Sequence, residues 1–189
     1  HFPKESVTEK EMPWNELING GEYPFDELKT PPKSFQNGEL WNELLRSQEQ
    51  RGKANAVSLL QLGITEYALG NIDKAYEAFS KSNECLPNAW ALRNLAMIEK
   101  NEKGNAQKAF EYITKALEYN MTYRGLLIGA ADIMLAANEE RAWLETFERL
   151  DEKLKNDGRL KLYKAIAHIR LDELDEAVLD ELVIIEGLD

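Results

Sequence analysis

A short segment that recurs about every 34 residues restricts the fold of this chain more than any other feature of its sequence. It reads GNIDKA at residues 70–75, and its alanine, Ala75, recurs as Ala109, Ala142 and Ala177, at spacings of 34, 33 and 35 residues. Four occurrences near one period indicate a repeated structural unit. Apolar residues at helical spacing alternate with Gly, Asn or Asp breaks, which predicts pairs of amphipathic helices of about 12 to 15 residues.

The residue types within this segment suit two helices that cross closely. The Gly-Asn turn lets one helix end and the next begin at once. Ala75 is small where the second helix crosses the first, and Gly63 is its small partner on the first helix. Phe79 is predicted to fill the wedge between units, and Pro87 ends the unit.

These residues resemble the tetratricopeptide repeat, most clearly in the first unit through Leu62, Gly63, the Gly70 turn, Ala75, Phe79 and Pro87. The later units match less well, and the third lacks the turn glycine. The resemblance implies an all-α fold of about four antiparallel helix pairs stacked into a right-handed superhelix. The predicted units are about 56–89, 90–123, 124–157 and 158–189.

The first 37 residues differ from the repeats because they contain five of the six prolines. Short helices are predicted to begin at Pro13 and at Pro24, the second over Phe25–Leu28. The segment is rich in aromatic residues, so we expect it to pack on the helical body, either in its groove or at its outer edge. Residues 38–53 are predicted to form a capping helix, and 54–189 the repeat domain.

A second resemblance extends beyond the repeats. Residues 34–41 (SFQNGELW) and 88–96 (NAWALRNLA) are similar to the repeat-bearing C-terminal part of large bacterial proteins that carry a β-rich, carbohydrate-related domain upstream. This resemblance implies an alternative function, a non-catalytic appendage that positions a larger enzyme or makes it oligomerise. The chain begins His-Phe-Pro rather than with Met, so the native protein is expected to be longer or processed.

In the tetratricopeptide family, the first helices of each pair line a concave groove that holds a peptide. Mapped onto this chain, the resemblance places these residues in the groove: Leu60, Ile64, Tyr67, Arg93, Asn94, Met97, Arg124, Leu127, Ala131 and Met134. Leu60 and Ile64 replace the Lys and Asn that grip a C-terminal carboxylate in one subclass. An amphipathic or apolar partner is therefore expected. Arg93 and Arg124 either pair with acidic residues of that partner or remain solvated or locally salt-bridged.

Composition limits the other classes of function. The net charge of -11 repels phosphate backbones and anionic lipid surfaces, so neither nucleic acid nor membrane is expected as a partner. The two histidines and one cysteine show no metal-ligand spacing, so neither metal nor cofactor is predicted. Cys85 is predicted to be a buried thiol, and His168 to lie at the surface or between helices. No catalytic residue is assigned, and the chain is not expected to be an enzyme.

The acidic tail, 171–189, keeps helical spacing of apolar residues but has no repeat after it. A polar outer face is usual for a terminal repeat, so this edge is expected to adjoin further chain or a second copy, as a homodimer. We expect the protein to reside in the bacterial cytoplasm, as a scaffold for protein–protein interaction.

Overall fold

The computed structural model describes residues 7–173, and all regular secondary structure within that range is helical. This confirms the predicted all-α class. The helices are α1 (Met12–Gly20), α2 (Glu39–Gln50), α3 (Ala56–Ala68), α4 (Ile72–Cys85), α5 (Ala89–Asn101), α6 (Ala106–Tyr119), α7 (Arg124–Ala136), α8 (Glu140–Glu148), α9 (Glu152–Lys155) and α10 (Gly158–Arg170). The chain divides into two compact units between Ile98 and Glu99.

In the first unit, neighbouring helices pack in sequence order, α1 on α2, α2 on α3 and α3 on α4. The α3–α4 pair is close because Gly63 faces the ring of Phe79. A Cβ at Gly63 would lie 2.5 Å from two ring atoms of Phe79, which is closer than real contacts allow. The small residue predicted at Gly63 is therefore required, although the side chain it accommodates is Phe79.

A buried polar network joins α2 to α3. The Glu66 carboxylate is fully buried and accepts hydrogen bonds from Arg46 and from the Asn42 amide, the latter at 2.7 Å. Asn71, after α3, donates to the second Glu66 oxygen at 2.8 Å. Since an unpaired buried carboxylate would be strongly unfavourable, these donors explain how Glu66 is accommodated.

The N-terminal segment forms one of its two predicted short helices. Pro13 lies in the first turn of α1, as predicted. The helix predicted over Phe25–Leu28 is absent, so that prediction was wrong. Leu28 instead has a left-handed backbone with φ of 54°, and its N–H donates to the Asp26 carboxylate at 2.7 Å. This local turn replaces the helical hydrogen bonds.

In the second unit, α7 packs against α6, α8 and α10. Trp143 on α8 is fully buried, and its ring meets Tyr163 of α10 edge to face at 6.4 Å. The end of α5 is tied to α6 by the buried Glu99 carboxylate, which pairs with Lys108 at 3.0 Å. The predicted second helix of the fourth unit, with Ala177, and the predicted dimer edge lie outside the described residues.

Four turns share one backbone geometry, and their spacing along the chain is more regular than that of the repeated alanines in the sequence. Each contains a residue with positive φ: Gly70 (78°), Gly104 (64°), Asn138 (58°) and Asp172 (57°). These positions are 34 residues apart throughout. Asn and Asp tolerate the left-handed backbone better than other non-glycine residues do, so they replace the glycine of the earlier turns. The described residues thus contain adjacent helix pairs of helical-repeat type.

None of the described helices is both long enough and apolar enough to span a lipid bilayer.

Candidate functional site

The predicted groove residues of the first unit differ in accessibility. Leu60 is completely buried, whereas Ile64 is half-buried and Tyr67 is 39% exposed. On α5, the side chains of Arg93, Asn94 and Met97 are all half-buried. A ligand could reach the Ile64 end of this face directly, but it could not reach Leu60 in this structure.

The N-terminal segment is bound near the start of α3 through its main chain. The Asn55 amide donates to the Tyr23 carbonyl at 2.8 Å, and the Tyr23 N–H donates to the Gln48 side chain at 3.0 Å. The Gln61 amide donates to the Ser34 carbonyl at 3.0 Å. These contacts hold the segment through its backbone groups.

The tip of the segment is anchored on α5. The indole N–H of Trp90 donates to the Leu28 carbonyl at 2.9 Å. The Leu28 side chain is only 5% exposed, although the backbone around it is left-handed. Neighbouring Phe25 is 63% exposed, so Leu28 is the apolar side chain of this tip that the protein buries. Trp90 and Leu28 together fix the far end of the loop.

Both ends of the loop are held at one side chain of α3. The Gln61 Nε2 atom that donates to Ser34 also donates to the Tyr23 hydroxyl at 3.2 Å. Trp14 of α1 packs edge to face on Tyr23, with ring centroids 4.9 Å apart, and donates its indole N–H to the Ser34 hydroxyl at 2.9 Å. Residues 24–33 therefore leave and return at Gln61, and we call them the docking loop.

Tyr23 is the described side chain of this site whose ionisation is most clearly altered. Burial, with a smaller contribution from the Asp26 carboxylate, raises the pKa of the Tyr23 phenol to about 12 against the opposing effect of the hydrogen bond from Gln61.

The predicted groove residues of the second unit are mostly enclosed. Leu127 and Ala131 are fully buried on α7, and Met134 is 2% exposed. Arg124 forms an ion pair with Asp157, which caps α10 by accepting from the Leu160 N–H at 3.1 Å. Of the two roles considered for Arg124, the local salt bridge is the one that the structure contains.

The ion pair with Arg124 helps to lower the pKa of Asp157. Partial burial acts to raise its pKa, but the hydrogen bonds from Arg124 and from the Leu160 and Arg159 backbone outweigh burial and hold the pKa below its usual value. Arg124 is therefore engaged in stabilising the start of α10.

Of the two side chains considered for chemical reactivity, Cys85 and His168, only Cys85 differs from its predicted position. Cys85, predicted to be buried, is exposed at the end of α4, so that prediction was wrong. The apolar stripe of α4 ends before Cys85, where the helix itself ends. The His168 ring is 19% exposed, with Nδ1 3.8 Å from the Glu173 carboxylate. No group of three or more His, Cys, Asp or Glu side chains within residues 7–173 is arranged to hold a metal ion.

Sequence reasoning missed the residues that hold the docking loop, namely Gln48, Asn55, Gln61 and Trp90. Gln48 and Gln61 are fully buried polar side chains on helices. For Gln61, its position within the apolar run 59–62 was the available signal, because a buried amide requires hydrogen-bond partners. Gln48 lies in the polar run 46–51, which carries no such signal. The pattern around Gln61 predicts a polar contact without identifying its partner.

No protein-family profile and no curated protein matches this chain. The likeness to tetratricopeptide repeats therefore rests on the residues themselves and on the adjacent helix pairs.

Proposed function

We propose that this chain is a tetratricopeptide-type module that binds other polypeptides on the first helices of its repeat pairs. The observation that carries the proposal is the set of hydrogen bonds between main-chain groups of the chain's own N-terminal segment and four side chains, Gln61 on α3, Trp90 on α5, Asn55 at the start of α3 and Gln48 on α2. A surface that already holds a polypeptide segment through its backbone has the chemistry needed to hold another. The proposal assigns the chain no reaction.

The accessible part of this face supports a ligand contact beyond the docking loop. Ile64 and Tyr67 offer apolar surface on α3, while Met97 offers an adaptable thioether on α5. Arg93 and Asn94 add polar hydrogen-bonding groups to α5, with the Arg93 guanidinium 3.4 Å from the Asn94 amide oxygen. Such a mixture suits an amphipathic peptide with an acidic residue.

The proposal is tested by selecting peptides from a displayed random library on the intact chain. Selected peptides should bind with micromolar affinity, and Arg93→Glu should weaken that binding about 10-fold or more because it replaces a cation with a repelling charge. Arg124 is left unchanged in this test, because it forms an ion pair with Asp157 at the start of α10.

Lys115→Glu provides the matched control, since Lys115 is exposed on α6 and the substitution makes the same change in charge. Equal weakening by both substitutions would indicate a general charge effect. Failure to select any peptide, or binding unaffected by Arg93→Glu, would argue against this face as the site.

A further inference from the structure

The docking loop lies on the face of α3 and α5 that the proposed function requires, but it leaves one polar atom of that face without a hydrogen bond. The Gln61 Oε1 atom is buried and accepts no hydrogen bond from the described residues. A buried acceptor without a partner is unfavourable, because it has lost its hydrogen bonds to water without replacement. A different polypeptide could supply the donor that Gln61 lacks.

The backbone of Leu28 also indicates that the docking loop is held in a disfavoured conformation by its contacts with the helices. A leucine with φ of 54° is disfavoured, because its Cβ approaches the following carbonyl group. The strain is offset where the side chain is buried and the Leu28 carbonyl accepts from Trp90. Once released, the loop would relax to an ordinary backbone conformation, which favours its displacement.

We propose that the docking loop is an internal ligand that masks a site for a non-helical peptide that turns as the loop does, and that the displacing partner places a leucine-like anchor where Leu28 lies. In that site, Trp90 donates to the main chain at the anchor, and Gln61 pairs with both a carbonyl and an N–H of the peptide. This inference rests on the proposed function. It adds the kind of side chain that anchors the partner and the means by which binding is regulated. The tether makes the loop a strong competitor, because a short linker gives an effective concentration in the millimolar range.

The test uses the full chain and a fluorescent peptide that corresponds to residues 21–36. Leu28→Asp in the chain should undock the loop, because it places a carboxylate in an apolar site while aspartate still tolerates the left-handed backbone. Fluorescence anisotropy should then show the peptide binding to the Leu28→Asp chain at least about 10-fold more tightly than to the wild-type chain. A peptide carrying the same Leu28→Asp change should not bind either chain.

Trp90→Phe, added to the Leu28→Asp chain, should weaken peptide binding about 3- to 10-fold, since it removes the indole donor and keeps an aromatic ring. Circular dichroism checks that each variant remains helical. Leu28→Ala replaces Leu28→Asp if the latter does not fold. Equal peptide binding to wild type and variant, or no binding to a folded variant, would overturn the inference.

The library peptides separate this inference from the proposed function. If they still bind in an Arg93-dependent manner while the 21–36 peptide does not bind, the binding face stands and the internal ligand is rejected. If neither kind of peptide binds, both are rejected.

Discussion

Gly63 is the residue at which the packing of the first helix pair tolerates least change. A methyl group there would lie 2.5 Å from the Phe79 ring, so Gly63→Ala should lower the free energy of unfolding by about 1–3 kcal/mol. Gly20→Ala is the control, because a Cβ at Gly20 meets nothing within 4 Å. Urea denaturation followed by circular dichroism measures both. Equal midpoints for the two variants would contradict the close packing of α3 on α4.

Tyr23 makes the stability of the first unit sensitive to alkaline pH. Its folded-state pKa of about 12 exceeds the ordinary value of 10, so its stabilising contribution is complete below pH 10 and is lost as the pH rises towards 12. Wild type should lose about 1 kcal/mol relative to Tyr23→Phe between pH 9 and pH 11. Chemical denaturation across this range measures the difference. Parallel pH profiles for the two proteins would show that the phenol is not buried.

The turn that joins α7 to α8 depends on a residue that accepts a left-handed backbone. Asn138 has φ of 58°, so Asn138→Gly should leave thermal stability unchanged or higher, whereas Asn138→Val should cost about 1–2 kcal/mol. Ala137→Val is the control, because Ala137 has an ordinary φ of -88° and should tolerate the larger side chain better. A comparable loss of melting temperature in both valine variants would remove the backbone explanation.

The start of α10 should weaken in acid. The pKa of Asp157 is lower in the folded state than in the unfolded state, so its pairing with Arg124 stabilises the fold above the ordinary pKa of about 3.9 and is lost as the pH falls through the folded-state value. Asp157→Asn retains a capping oxygen but removes the charge. It should lower stability by about 0.5–1 kcal/mol at pH 7, and this deficit should vanish in acid.

Asp151→Asn is the control for that experiment. Asp151 caps α9 by accepting from the Leu154 N–H at 2.9 Å, and its replacement leaves the Arg124–Asp157 pair in place. Urea midpoints between pH 2.5 and pH 7 provide the comparison. A deficit of Asp157→Asn that persists unchanged below pH 3 would show that the charge of Asp157 does not contribute.

The helical elements could be predicted from sequence because their apolar spacing and turn glycines are local signals. The Gly70 and Gly104 turns were recognisable from their glycines, whereas Asp172 was not, because an aspartate in a left-handed turn looks like any polar loop residue. The helix predicted over Phe25–Leu28 failed for a different reason. Its proline and acidic residues suit a helix start, but distant contacts with Trp90 hold Leu28 in another conformation.

The binding face could be predicted only in outline. Residue spacing placed Leu60, Leu127 and Met134 on the first helices, but it could not show that they are buried. Beside Leu60, the Gln61 amide donates to the Ser34 carbonyl of the chain's own N-terminal segment. Contacts between residues so distant in sequence leave no periodic signal. The sequence therefore leaves both the groove and the outer edge open for this segment, whereas its hydrogen bonds to Gln61 and Trp90 attach it to α3 and α5.

Over the chain as a whole, two features combine, a series of helix pairs and, in the first unit, a segment that is bound to α3 and α5. The hydrogen bonds to the main chain of that segment show that this surface binds polypeptide backbone. Regulation follows if a partner must remove the docking loop before it binds, because the partner's apparent affinity then falls by the fraction of chains in which the loop is undocked.

Hydrogen–deuterium exchange of the intact chain, with and without a library-selected peptide, shows where the peptide binds and whether it displaces the docking loop. We expect slower exchange in residues 56–68 and 89–98, which belong to α3 and α5, together with faster exchange in the docking loop, residues 24–33, as the peptide displaces it. Protection confined to α4 or α6, with the docking loop unchanged, would mean that the peptide binds elsewhere and leaves the internal ligand in place, and would overturn both proposals.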